Sequence, residues 1–169
     1  MKLVGISGSL QARSSNTALL DVARAVADGG VEIEVFAGLA AVPAFNPDTD
    51  PAPPSIEAFR SLVQSADGLL IATPEYAFGL PGSLKNLLDW LVGSGELYGK
   101  PVVVLSAAPS AERGTNARAD LERTLRAQGA RVLVSTTIAV PSGVRGREAD
   151  DPQIRERVAE ALTAFSGTY

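Results

Sequence analysis

The chain has 169 residues, 46% of them hydrophobic and 20% charged, with a net charge of −4. That is one domain's worth of sequence, expected as a single unit over 1–169 and long enough to bury a substantial core. The acidic balance disfavours wholesale binding to nucleic acid or anionic lipid. Cysteine and histidine are both absent, which excludes disulfides, thiol nucleophiles, histidine-based triads and the commonest metal-ligand sets.

Lys2 to Ser7 predicts a first strand, and Ser15 to Ala27 a helix with Leu19, Leu20, Val22, Ala23 and Val26 at helical spacing. Gly29-Gly30 stops it, and the alternating Val31 to Phe36 predicts a strand nearer an edge. Ala37 to Pro54 is a proline-rich connection, followed by a helix over Ser55 to Ala66. The continuous apolar run Gly68 to Thr73 predicts a central strand buried on both faces. A helix is expected over Ser83 to Val92, a second central strand over Pro101 to Ser106, and a helix over Thr115 to Gln128, closed by Gly129. Arg131 to Val140 contains the last strand and Pro152 to Phe165 the last helix. Strict β-α alternation with right-handed crossovers gives a five-stranded parallel sheet sandwiched by helices. No signal peptide is visible and no apolar run approaches the ~20 residues of a membrane span, so the expected location is the cytoplasm, with no membrane partner.

Ligands of open parallel sheets sit outside the carboxyl ends of the strands. Three loops there carry polar or flat groups. After the first strand, the helix N-terminus offers unpaired N–H groups, and Ser9, Ser14, Ser15, Asn16 and Thr17 add side-chain donors suited to a phosphate. A plain capped helix, with Ser14 or Ser15 as N-cap, is the structural alternative. After the third strand, Pro74-Glu75-Tyr76-Ala77-Phe78-Gly79 combines flat side chains with close backbone approach. After the fourth, Ser106-Ala107-Ala108 leads to Arg113 and Gly114, with Thr115 or Asn116 as a candidate cap. Lys85 and Asp89 are i,i+4 helix partners, and Trp90 reads as core or interface. Glu75 has a helix-end or interface role as its structural alternative. Arg113 suits a phosphate as a fork donor, against the description of a solvated surface arginine.

Two of these stretches resemble the NAD(P)H-dependent FMN reductases of the flavodoxin-like fold, relatives of quinone, azo-dye and chromate reductases. The motif Gly-Ser-Leu-Arg-x-x-Ser-x-Asn is matched at Gly8, Ser9, Leu10, Ser14 and Asn16, with Gln11 in place of arginine. The second motif is matched at Pro74, Glu75, Tyr76, Pro81, Gly82, Leu84, Lys85, Asn86, Asp89 and Trp90, with Ala77 in place of asparagine. The resemblance implies a three-layer α/β sandwich with strand order 2-1-3-4-5. It implies FMN as cofactor and NADPH or NADH as hydride donor. Residues matching Ser9, Ser14 and Asn16 contact the FMN phosphate in the family, and Gln11 or Arg13 stands where the missing arginine would act. By the same resemblance Glu75, Tyr76 and the positions that follow line the isoalloxazine, and Ser106 to Ala108 meets its pyrimidine side; Arg113, beside Gly114, is a candidate for the extra phosphate of NADPH by its own chemistry.

The expected activity is ping-pong hydride transfer from NADPH to bound FMN and on to a small-molecule acceptor: a quinone, azo compound, metal oxyanion or free flavin. No side chain is assigned a catalytic role, since the cofactor carries the chemistry. The alternatives are a flavodoxin-like electron carrier and a reductase that uses FMN as a dissociable substrate. A homodimer or homotetramer is expected from the family and from the apolar look of the helix carrying Leu87, Leu88, Trp90 and Leu91.

Overall fold

The computed structural model describes residues 1–167. Five parallel strands form one sheet: β1 (Lys2–Ser7), β2 (Glu32–Phe36), β3 (Gly68–Ala72), β4 (Pro101–Ala108) and β5 (Arg131–Ala139), in the order β2-β1-β3-β4-β5. The intervening helices are α1 (Ser15–Val26), α2 (Pro54–Ser65), α3 (Gly82–Asp89), α4 (Thr115–Ala127) and α5 (Pro152–Leu162). Short 3-10 turns lie at Leu39–Ala41, Glu148–Asp150 and Thr163–Gly167. The architecture is the flavodoxin-like sandwich that the sequence implies.

Alternation along the strands builds two cores. Val4, Ile6, Leu69, Ile71, Val102 and Val104 face α2, α3 and α4, meeting Phe59, Val63, Leu84, Leu88 and Leu121. Leu3, Leu70, Ala72, Val103 and Leu105 face α1 and α5, meeting Leu19, Leu20, Ile154 and Val158. Each large apolar side chain so buried contributes about 1.5–3 kcal/mol relative to exposure. β3 lies between the two cores and all five of its residues are buried, which is why its sequence is continuously apolar. β2 alternates because it forms an edge.

α3 ends three residues before the expected Val92. The N–H groups of Leu91 and Val92 bond to the carbonyls of Leu88 and Asp89, three residues back, and Gly93 follows with φ +86°. The chain tightens and then leaves helical space at a glycine. Leu87, Leu88, Trp90 and Leu91 are all buried in the chain's own core. The apolar face that suggested an association surface on this helix is therefore already covered. Among the described residues no helix is long and apolar enough to cross a membrane.

The motif residues of α3 hold the proline-rich connection in place. Asn86 Oδ1 accepts from the Phe45 N–H at 2.8 Å, and Asn86 Nδ2 donates to the Pro43 carbonyl at 2.8 Å. Trp90 Nε1 donates to the same carbonyl at 2.9 Å, and its ring meets Phe45 edge-on with centroids 5.2 Å apart. Lys85 and Asp89 pair at 2.6 Å on the exposed side. These residues serve structure, as their helical spacing suggests. Replacing Asn86 by alanine leaves the Phe45 N–H without its acceptor, while the Pro43 carbonyl keeps its bond from Trp90. The substitution is expected to lower unfolding free energy by about 1–3 kcal/mol, with an unchanged slope against urea. Equilibrium urea titration followed by Trp90 fluorescence measures this.

Candidate functional site

The loops after β1, β3, β4 and β5 converge on one edge of the sheet, as parallel strands require. The first begins at Gly8, whose N–H donates to the Ala72 carbonyl at 2.8 Å. A Cβ at Gly8 would lie 2.8 Å from Leu84 Cδ2, so a larger residue would have to displace this buried leucine for the loop to sit against α3. The Ser9 N–H donates to Ser7 Oγ at 3.3 Å and the Gln11 N–H to Ser9 Oγ at 3.2 Å. Ser7 and Thr17 share a hydroxyl bond of 2.8 Å.

Ser14 holds the N-cap position of α1, yet its hydroxyl makes no capping bond. The N–H groups of Ser15, Asn16 and Thr17 in the first turn have no partner within the helix. No acidic residue lies in that turn, and the helix end favours an anion by about 0.3–1 kcal/mol. Of the two readings of this loop, the cap is therefore vacant at its own position. Asn16 is 4% exposed, and its Oδ1 accepts from the Ala107 N–H at 2.9 Å, tying the first loop to the end of β4. The Ser15 hydroxyl donates to Glu148 Oε1 at 2.7 Å.

The second loop turns on two residues. Tyr76 and Gly79 exchange N–H···O=C bonds of 3.2 and 3.0 Å, with Ala77 and Phe78 between them at φ +49° and +62°. This is a two-residue hairpin turn of the type that wants Asn-Gly. Left-handed backbone costs non-glycine residues roughly 1–2 kcal/mol each. The turn thrusts Phe78 into solvent at 82% exposure, with Tyr76 at 53%.

Glu75 points the other way, to the start of α4. Its Oε2 accepts from the Asn116 N–H at 2.8 Å and the Ala117 N–H at 3.1 Å, and its Oε1 meets Asn116 Nδ2 at 3.4 Å. The Ala117 N–H, aided by Asn116, holds the Glu75 carboxyl below its usual 4.5. The expected cap at Thr115 or Asn116 is thus corrected. Gly114 occupies that position at φ +78°, with no capping side chain of its own, and the cap comes from another loop. A Cβ at Gly114 would also lie 2.5 Å from Ser106 Oγ. The Ser106 hydroxyl is buried and has no hydrogen-bond partner. Thr137 Oγ1 donates to the Arg113 carbonyl at 2.9 Å and accepts from Arg118 Nε at 3.1 Å, which fastens this third loop to β5.

Three clefts run side by side over this edge. An inner cleft of about 370 Å³ is walled by Ser9, Gln11, Ser14, Ser15 and Asn16 on one side and by Pro74, Glu75, Tyr76, Ala107 and Ala108 on the other. A second, of about 540 Å³, shares Pro74, Glu75, Ala107 and Ala108 and adds Ser106, Phe78, Arg113 and Gly114. An outer one, of about 790 Å³, shares Gln11 and Ser14 and adds Arg13 and Thr17. Ala77 and Gly79 line none of them: they shape the turn that carries Phe78. Sequence reasoning missed the loop after β5. Val140 and Arg145 line the inner cleft, Arg145 reaches the outer one as well, and Glu148 anchors the loop from beneath. The available signal was the position of Pro141 to Arg147 at the same carboxyl edge.

Replacing Glu75 by glutamine removes a charged cap of α4 and is expected to cost about 0.5–2 kcal/mol at pH 7. Because the folded-state value is depressed, this contribution is present above pH 4.5 and disappears as pH falls through the folded value. Urea midpoints of the two proteins should differ at pH 7 and converge as the pH falls through the lowered folded-state value of Glu75.

The sequence model of a family described as "NADPH-dependent FMN reductase" matches residues 1–145. An NAD(P)H-dependent FMN reductase of Pseudomonas aeruginosa is 34% identical over 98% of this chain and 93% of its own length. A quinone reductase of Escherichia coli is 29% identical over 74% of this chain and 69% of its own. Among solved structures, the flavoenzyme NAD(P)H:(acceptor) oxidoreductase FerB of Paracoccus denitrificans superposes with a TM-score of 0.77 at 24% identity, covering 98% of this chain and 97% of its own. Flavodoxin 1 of Bacillus cereus gives 0.65 at 19% identity, covering 98% and 97%. The structural likenesses establish the fold.

Proposed function

The chain belongs to the NADPH-dependent FMN reductase family, and on that premise we propose that it oxidises NAD(P)H and reduces a small quinone-type acceptor in two half-reactions at one FMN site. The residues present fit that cofactor. Ser14 stands at the N-cap without capping, so the first-turn N–H groups of α1 are left for an anion beside a cleft with a flat apolar wall. This observation carries the assignment. A capping hydroxyl would take one of these donors.

When bound, FMN supplies two-electron chemistry that accepts hydride from a nicotinamide and reduces an acceptor. The chain's own residues bind and orient. The N–H groups of Ser15, Asn16 and Thr17, with the hydroxyls of Ser9 and Ser14, would hold the phosphate. Pro74, Tyr76, Ala107 and Ala108 would bound the ring. Asn16 is both a wall residue and a brace, since its bond to Ala107 fixes the distance between the phosphate end and the ring end. Phe78 and the exposed Arg113 line the neighbouring cleft, where a nicotinamide dinucleotide meets a flat surface and a fork donor for its phosphates.

Catalysis is then proximity and orientation. The side chains lining the inner cleft include no histidine, cysteine or lysine, in keeping with a reaction whose protons are exchanged with solvent. Donor and acceptor would take the same place in turn, beside the exposed rings of Tyr76 and Phe78. Initial rates with NADPH and a benzoquinone as varied substrates are expected to give parallel double-reciprocal lines. Intersecting lines, the pattern of both substrates bound together, would overturn the shared-place reading.

A further inference from the structure

We propose that Arg145, from the loop after β5, supplies the positive charge that recognises the phosphate of the cofactor and makes the site select FMN over riboflavin. This rests on the FMN reading given above. Arg145 is the one cation among the described residues that line the inner cleft. Its neighbours there are neutral apart from Glu75, whose carboxylate is occupied by α4. A phosphate ester in this cleft brings about two negative charges to a first turn of N–H groups that compensates them only in part. A guanidinium, with donors in a fixed fork, is the group best matched to finish that task.

The placement of Arg145 is built. Its Nη2 donates to Gln11 Oε1 at 3.1 Å, directly over the first loop. The segment carrying it is clamped by Glu148, which is 3% exposed. One carboxylate oxygen of Glu148 accepts from the Ser15 hydroxyl at 2.7 Å and the other from the Gly146 N–H at 2.8 Å. Burial alone would raise this carboxyl, but the Ser15 and Gly146 bonds hold it below its usual 4.5, so it remains a charged clamp at neutral pH. The residue next to Arg145 is therefore tied to the first residue of α1. Arg13, the other arginine near this loop, lines the outer cleft and not the inner one.

Gln11 and Arg145 form a donor–acceptor pair across which the charge can be moved. In this chain the neutral amide sits on the first loop and the cation comes from the last. Arg145 is a binding residue in this account, and Glu148 is a positioning residue that acts through it.

Apoprotein titrated with FMN and, separately, with riboflavin tests the proposal, followed by quenching of flavin fluorescence. Arg145→Gln is expected to weaken FMN about ten- to a hundredfold and to leave riboflavin within twofold. It should also flatten the salt dependence of FMN binding. Gln11→Arg placed in the Arg145→Gln background is expected to recover most of the FMN affinity. Far-ultraviolet circular dichroism and the urea midpoint confirm that the variants fold. An Arg145→Gln protein that binds FMN within twofold of wild type overturns the proposal, as does an equal loss for FMN and riboflavin. Wild-type protein that binds neither flavin would overturn the FMN reading itself, and the role of Arg145 with it.

Discussion

A parallel sheet buried on both faces puts every strand's carboxyl end on one edge, and the backbone groups that leave the sheet there must still find partners. In this protein several of them find partners in side chains. Asn16 takes the Ala107 N–H, Glu75 takes those of Asn116 and Ala117, Thr137 takes the Arg113 carbonyl, and Glu148 takes the Gly146 N–H. The first two braces join different loops, Thr137 ties the third loop to β5, and Glu148 ties its own loop to the Ser15 side chain of α1. The cleft between them has walls fixed from outside, which is the condition for a site that binds by geometry and not by closing.

The bracing also explains what is left open. Ser14 does not cap α1, and no acidic residue enters the first turn. Glu148 reaches the Ser15 side chain, so the N–H groups of that turn keep their vacancy. Around them the chain, acidic overall at −4, places Arg13, Arg145 and Arg113 along the line of clefts. The same clefts are also lined by Asp21, Glu75, Glu112 and Glu148, so these arginines are local cations set among carboxylates. Strain is stored at the same place, in the left-handed Ala77 and Phe78, which the closed hairpin of Tyr76 and Gly79 over-determines.

Much of this is legible in the sequence because it is local. The continuous apolar run Gly68 to Thr73 and the alternating Val31 to Phe36 distinguish a central from an edge strand by pattern alone. The helical spacing of Lys85, Asn86, Asp89 and Trp90 marks them as structural: Asn86 and Trp90 hold the proline-rich connection, and Lys85 and Asp89 pair on the exposed side. What escapes is non-local. Asn16 and Ala107 are separated by 91 residues, Glu75 and Asn116 by 41, Ser15 and Glu148 by 133. Periodicity carries no information at such range, so local pattern points to Thr115 or Asn116 as the cap of α4 while the fold supplies Glu75. The loop after β5 escapes for the same reason: Arg145 and Glu148 acquire meaning only when the fold lays them on the first loop. The end of α3 shows the converse error, in which a periodic pattern continues through Leu91 while Gly93 has already stopped the helix.

The account stands on the first turn of α1 being a phosphate seat within a preformed cleft. Asn16→Asp tests this with little disturbance, because a carboxylate oxygen can still accept the Ala107 N–H while adding a negative charge beside the seat. FMN titration of the wild-type and variant apoproteins by fluorescence quenching is the measurement. The account predicts saturable binding to wild type and an affinity at least about tenfold lower in the variant, with both proteins folded by far-ultraviolet circular dichroism. Equal FMN affinity in the two proteins would contradict it.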